Sequence, residues 1–368
     1  MGKHRLAPRA RVTHMGDDDV SSSSLSATWA VLDDGTASAA GLTRFAATHG
    51  LTDVFLVAAG EDGEEALGRA GTDLHSEGLL VAAVAADPRW ALDPRPLMRW
   101  LRRIRTGASS HDIDGVHLDI EPWRLGVWDL DRMRATRGLV ELLRLARGAV
   151  PDLPLSADLP HWLAGEPYWP PPTALDPASA ELPAPPPSGP PTGAGAPSSR
   201  GRIRTGDAPP RGGHPRADAP PVGMGVAGHL PPPLPHEPGM PGAVGMRLVE
   251  PRGVAAARRS RRSVFDEALT HLDSVTILVP RTRTHGPGGI LDASSRARGA
   301  CALVGVPYLI GLEARPRELA RSPRATFHDE GEAALLREAD RLAEALADDP
   351  LFRGIAVHDW AAWSGLGG

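Results

Sequence analysis

Eight short apolar runs, separated by stretches with helical periodicity, constrain the fold of this chain more than any other feature. They are Ala27 to Leu32, Val54 to Ala59, Leu79 to Ala86, Gly115 to Ile120, Leu155 to Leu159, Val275 to Val279, Pro307 to Leu312 and Gly354 to Val357. Helical patterns lie between them. The clearest is Leu97, Trp100, Leu101 and Ile104, spaced i, i+3, i+4, i+7 on one face of a helix expected from Pro94 to Arg105. Further helices are expected over Ser38–His49, Glu64–His75, Leu130–Ala149, Ala255–Leu272, Ala293–Leu303 and Glu330–Ala347. Strands alternating with helices imply βαβ units and a parallel sheet. Eight such strands close a (β/α)8 TIM barrel, the α/β fold expected here. A doubly wound open sheet is the alternative, but no glycine-rich phosphate loop follows the first run.

Two segments fall outside this rhythm. Residues 1–26 read as a disordered leader: a basic start, then Asp17-Asp18-Asp19 and a serine run. No apolar core of a secretory signal follows the basic start, so a cytoplasmic location is expected, and Met15 is an alternative start. Residues 166–253 hold about two dozen of the 38 prolines and few apolar side chains. Such a segment cannot offset its ordering entropy and reads as a disordered Pro/Gly-rich insertion after strand five. The barrel is then assigned to 27–165 (strands one to five) and 254–368 (strands six to eight). Arg258, Arg259, Arg261 and Arg262 read as a solvated helix face.

Composition excludes several classes. The net charge of −5 gives no dominant basic field for nucleic acid. No apolar run reaches the ~18 residues of a membrane span. The single cysteine, Cys301, cannot form an internal disulfide or a cysteine-based zinc site and reads as a small buried hydrophobe.

In a barrel of this kind the active site lies at the C-terminal ends of the strands. Side chains alternate across a strand, so in Gly115 to Trp123 the residues Val116, Leu118 and Ile120 share one face and His117, Asp119 and Glu121 the other. The apolar face must meet the helices. Three ionisable groups therefore point into the barrel and rise to its mouth, where desolvating them is costly and rarely done for stability alone. Glu313 ends strand seven on the inward side, Asp158 lies inward on strand five, and His358 and Trp360 take the same parity on strand eight. Asp33 or Asp34 closes strand one, and Arg281 follows strand six. Trp90, Trp123, Trp162, Trp169, Trp360 and Trp363 all fall just after expected strand ends, where flat indoles suit stacking on sugar faces.

Asp114-Gly115-Val116-His117-Leu118-Asp119-Ile120-Glu121 resembles the DGxxxDxE strand-four signature of chitinase-like family 18 glycoside hydrolases. With Pro122 it also resembles the G-[IV]-H-[LI]-D-[IV]-E-P motif of uncharacterised bacterial glycosidase-like barrels. The chitinase resemblance implies Glu121 as general acid and Asp119 as the residue orienting an acetamido group. Two departures stand out. His117 replaces a further aspartate, and Leu278-Val279-Pro280 replaces Met-x-Tyr, which argues against substrate-assisted cleavage. A strand-four Glu-Pro with a strand-seven glutamate also resembles retaining glycosidases of the large barrel clan. That would make Glu121 acid/base and Glu313 nucleophile, with carboxyls about 5–5.5 Å apart.

The function expected is a glycoside hydrolase acting on a poly- or oligosaccharide. Glu121 is the general acid, with a pKa raised by burial and by Asp119, and Asp119 or Glu313 stabilises or attacks the anomeric centre. Asp33, His117, Trp123, Asp158, Trp162, Arg281, His358 and Trp360 are the expected substrate-binding residues. No cofactor and no bound metal are expected, and the partner is a carbohydrate rather than nucleic acid or membrane. Two alternatives differ in class: a non-catalytic carbohydrate-binding barrel, and a metal-dependent hydrolase built on His117, Asp119, His161, His358 and Asp359.

Overall fold

The computed structural model describes residues 24–32, 39–58, 63–107, 112–169, 262–320 and 325–366. Its first half runs β1 (Leu25–Leu32), α1 (Ala39–His49), β2 (Asp53–Ala58), α2 (Gly63–Ser76), β3 (Leu80–Ala85), α3 (Arg95–Gly107), β4 (Gly115–Leu118), α4 (Val127–Leu130), α5 (Arg132–Ala149) and β5 (Leu155–Pro160). The second half is α6 (Val264–Leu269), β6 (Ser274–Leu278), α7 (Ile290–Val304), β7 (Tyr308–Glu313), α8 (Arg317–Ala320), α9 (Glu332–Leu346), β8 (Phe352–His358) and α10 (Trp360–Ser364). The strands pair in chain order and β8 returns to β1, with Leu25 opposite Ile355 and Thr28 opposite Val357. This closure is the (β/α)8 barrel and removes the open-sheet alternative.

Strand alternation builds two separate cores. Val54, Leu56, Val81, Ala83, Val116, Leu118, Ala157, Ile277, Ile310, Ile355 and Val357 face outward into the layer under the helices. There Leu97, Leu101 and Ile104 of α3 and Leu139, Val140 and Leu143 of α5 are buried against them. The opposite parity places Ala27, Trp29, Phe55, Val84 and Ala356 inside the barrel. Two aspartates fix the strand starts in the same way. Asp114 accepts the Val81 N–H at 2.9 Å ahead of β4, and Asp273 accepts the Leu155 N–H at 2.8 Å ahead of β6. The aspartate that opens the strand-four motif is thus a pin at the bottom of the barrel.

The structure extends the sequence reading at several edges. β1 begins at Leu25, so its first two residues overlap the expected leader, whose residues 1–23 lie outside the described residues. Short 3-10 turns Pro88–Ala91, Pro122–Arg124 and His161–Ala164 follow β3, β4 and β5. Two of them carry proline in the first turn, where its missing N–H costs nothing and its φ suits the turn. The helix α10 is too short for a periodic signal and is set by Asp359, which accepts the Ala362 N–H at 2.9 Å.

Of the expected insertion at 166–253, only residues 166–169 are described; the basic residues Arg258, Arg259 and Arg261 and the start of the expected Ala255–Leu272 helix also lie outside the described residues. The chain on either side is well fixed. The Val264 N–H donates to Glu166 O at 2.8 Å and the Tyr168 N–H to Arg262 O at 2.9 Å, an antiparallel bridge around Pro167 and Ser263. Ser263 then forms a capping box with Asp266 and starts α6.

Close backbone approach makes Gly138 costly to replace. A Cβ on Gly138 in α5 would lie 2.0 Å from the Ala91 carbonyl oxygen, whereas a Cβ on Gly148 in the same helix would meet nothing within 4 Å. Gly138→Ala is therefore expected to cost about 2–3 kcal/mol and lower Tm by roughly 4–12 °C. Gly148→Ala is expected to raise stability by about 0.5–1 kcal/mol through helix propensity. Thermal denaturation of the two variants checks both signs.

Candidate functional site

The mouth of the barrel is built outward from β4. The Asp119 N–H donates to Ala85 O at 2.9 Å, so pairing with β3 continues one residue past the strand. Ile120 is buried in the outer layer, and alternation turns Asp119 and Glu121 inward with His117. Pro122 then turns the backbone and leaves Glu121 half-buried at the rim. Trp123 Nε1 donates to Glu121 Oε1 at 3.2 Å, and Arg124 Nη1 to Oε2 at 2.8 Å.

Beside Glu121 stand three indoles. Trp123 meets Trp128 at 6.2 Å and Trp162 at 5.4 Å, both edge to face, and Trp128 meets Trp162 at 5.5 Å. The turns after β4 and β5 bring them together, and α4 supplies the middle ring. Trp128 is buried and carries the Arg132 guanidinium 5.1 Å above its ring, while Trp162 is 37% exposed. Trp123 and Trp162, both expected at the site, therefore form one aromatic wall with a solvent-facing surface.

Below the rim lies a polar layer. His117 is 0% and Asp158 2% exposed. His117 Nε2 lies 3.0 Å from Asp158 Oδ1, out of line for a hydrogen bond, and Nδ1 lies 2.8 Å from Ser156 Oγ. The imidazole stacks on Phe55 at 4.1 Å and meets the edge of Trp29 at 5.9 Å. Burial puts both of these expected substrate-binding residues underneath the rim.

On the far side, Glu313 does not stand alone. Arg315 donates to it through Nε at 2.9 Å, Nη2 at 2.6 Å and its backbone N–H at 2.9 Å. Both carboxylate oxygens are engaged in a bidentate clasp. Arg315 was not singled out in the sequence, although Glu313-Ala314-Arg315 continues the strand alternation one step past β7. His358 lies opposite Glu313 in the register and packs on Trp29 at 4.8 Å; the His358–Asp359 peptide is cis. Trp360 sits in α10 with its ring 6.4 Å from Phe45 of α1, in the helix layer. Arg281 donates to the Pro280 carbonyl at 2.9 Å. Asp33 and Asp34 lie outside the described residues. His161 Nδ1 lies 3.2 Å from Leu278 O, and among the described residues no three His, Cys, Asp or Glu side chains converge as a metal-ligand set. Among the described residues no helix is long and apolar enough to cross a membrane.

No protein-family model and no curated protein matches the chain. Solved structures with a similar backbone path include a class V chitinase from Nicotiana tobaccum, at 10% identity and a TM-score of 0.39 over 79% of this chain and 66% of that one. Another is an active-site mutant of a Rhizomucor miehei beta-1,3-glucanosyltransferase in complex with laminaritriose, at 10% identity and a TM-score of 0.44 over 92% and 87% of the two chains. The chain thus spans just under two thirds of the chitinase. The closed strand order defines the barrel without them.

Charge within the mouth is unevenly placed. Burial first, then the charges of Glu121 and Asp158, push the Asp119 carboxyl well above its usual range, against the pull of Arg315 and Arg124. Burial also raises Asp158, with His117 opposing and Glu121 adding to the rise. His358 is held well below its usual value by burial and by Arg315, His117 and Arg124, so it is neutral at pH 7. Burial works against the charge on Arg315, but the clasp with Glu313, aided by Glu121 and Asp359, holds its pKa above the ordinary value.

The Asp119 shift sets a pH dependence. A carboxyl raised in the folded state favours folding below the unfolded Asp value of about 3.9, and that advantage is lost as pH rises through the folded value. Asp119→Asn removes the cost of a desolvated charge. It is expected to raise Tm by about 2–4 °C at pH 8, with the gain shrinking toward pH 4 in a series of melts.

Proposed function

We propose that this barrel is a carbohydrate-active hydrolase, with Glu121 as the proton donor to the glycosidic oxygen. The observation that carries the reading is the inward row Asp119 and Glu121, ending at a mouth walled by Trp123 and Trp162. A sugar ring stacked on the exposed Trp162 face lies beside the Glu121 carboxyl, and Trp123 Nε1 fixes one of its oxygens. Arg124 holds the other oxygen but is half-exposed, so a bound substrate can displace it.

Asp119 is the second carboxyl of the row; burial and its acidic neighbours favour its protonated form, so it faces the anomeric carbon with charge only once ionised. Glu313 serves instead as the anchor of Arg315. The clasp turns both carboxylate oxygens toward a cation and lowers their basicity, which favours Asp119 as the second carboxyl. Neither tyrosine of the chain is placed to assist an acetamido group. Tyr308 opens β7 at the far end of the barrel and donates to Asp349 Oδ2 at 2.6 Å, and the Tyr168 hydroxyl faces the charges of Glu267, Arg137 and Glu141 on the helices.

The second reading, a sugar-binding barrel without turnover, draws on one observation: both rim glutamates are held by arginines, as suits a fixed polar rim. A panel of chromogenic glycosides and polysaccharides separates the two. The hydrolase reading expects Glu121→Gln to lose about 10²-fold or more of kcat/KM with an unchanged Tm. It also expects Trp162→Ala to raise KM with less effect on kcat. Glycan binding without turnover, unaltered in Glu121→Gln, selects the binding barrel.

A further inference from the structure

The chain has nine tryptophans, and the two that are exposed fall in one short segment after β5: Trp162 at 37% and Trp169 at 39%. Trp162 belongs to the wall of the mouth. Trp169 does not, and the proposed reaction makes no use of it. It stands on the outer flank of the barrel, where Arg137, on the second turn of α5, donates through Nε to the Trp169 carbonyl.

The segment between the two indoles is held at each step. Trp162 packs on Trp128, Trp128 carries the Arg132 guanidinium, and Arg132 Nη1 lies 3.6 Å from Glu166 Oε2. Glu166 and Tyr168 are tied through their backbones to Val264 and Arg262. Trp169 therefore keeps a fixed offset from Trp162, away from the mouth. Arg132 and Arg137 are five residues apart, about 7.5 Å along the helix axis. The surroundings of Trp169 are polar. The neighbouring Tyr168 hydroxyl faces Glu267, Arg137 and Glu141, and the Arg132 side chain is half-exposed. A protein-binding hot spot is an apolar pocket that excludes water. An accessible flat ring among hydrogen-bonding side chains suits a sugar instead, whose apolar face lies on the indole and whose hydroxyls meet the polar groups.

We propose that Trp169, with Arg137 beside it, is a second glycan-stacking site on the outer flank of α5, which takes a polysaccharide chain running on from Trp162 at the mouth. The site rests on the carbohydrate reading of the mouth but not on cleavage there. It makes the protein selective for chain length. A polymer that reaches both indoles gains a second contact that is intramolecular once the first has formed. A short oligosaccharide engages Trp162 alone.

The test is native gel electrophoresis of the whole chain in gels containing glycol chitin, laminarin or carboxymethylcellulose, where retardation reads binding without turnover. Calorimetric titration with a trisaccharide of whichever polymer retards the protein supplies the short-chain comparison. The wild type is expected to be retarded by at least one of the three. Trp169→Ala is expected to bind that polymer roughly 3–10-fold more weakly, with an unchanged Tm and unchanged affinity for the trisaccharide. Trp162→Ala is expected to weaken both, and Trp169→Tyr, which keeps a flat ring, to retain most of the polymer binding. Three results overturn the proposal: Trp169→Ala retarded like the wild type, Trp169→Ala weakened equally toward polymer and trisaccharide, or a wild type retarded by none of the gels. Full activity of Glu121→Gln with the Trp169 results as expected would instead remove the hydrolase reading and leave the flank site standing. Polysaccharide cleavage lost in Glu121→Gln, with polymer binding unaltered in Trp169→Ala, would do the reverse.

Discussion

Near the barrel axis the Phe55 ring lies flat on His117 at 4.1 Å, and the edge of Trp29 closes the same contact. A sheet that closes on itself leaves a narrow interior in which side chains from all eight strands compete for the same volume. Here large apolar rings from β1 and β2 take part of it, with Val84 of β3 and Ala356 of β8, and with Leu278 of β6 and Leu309 of β7 packed against them. Polar groups from β4, β5 and the ends of β7 and β8 take the rest. The imidazole on its aromatic seat is the seam between the two. Without the rings the polar layer would be open to water, and its electrostatics would weaken accordingly.

Above that seam, the acids are held apart by pairing each with a different partner. Glu313 is clasped by Arg315, Glu121 is bonded to Arg124 and Trp123, and Asp158 faces His117. Asp119 is left facing two carboxylates and feels the arginines only at a distance, which is why its proton is the hardest to remove. Such an arrangement sacrifices stability at neutral pH for a defined protonation pattern, a trade common at functional sites.

The chemistry of the strands was legible because it rests on a period of two. Parity alone assigned His117, Asp119, Glu121, Asp158 and Glu313 to the interior, and the same parity packs Val116, Leu118 and Ile120 under the helices. Depth was not legible. Alternation tells which way a residue points and not how far below the rim it lies, so Asp158 and His117 read as substrate-binding residues alongside those of the rim. Trp29 and Phe55 carry no chemical signal and look like ordinary strand residues until closure places them on the axis. Arg315 was within reach of the same rule, two residues after Glu313, but the expected strand ended before it. For Trp360 strand parity gives no direction, because α10 begins at that residue.

The bridge between residues 166–168 and 262–264 has a consequence for how the molecule is put together. The chain departs after β5 and comes back before β6 at adjoining points, so the covalent link between the first five strands and the last three is not what sets their register. That register is held by the β5–β6 and β8–β1 ladders and the helices over them. A polypeptide severed between Trp169 and Arg262 would present two fragments with complementary open edges. In this barrel, reassembly from separately made halves is a property of the seams and not of the thread that joins them.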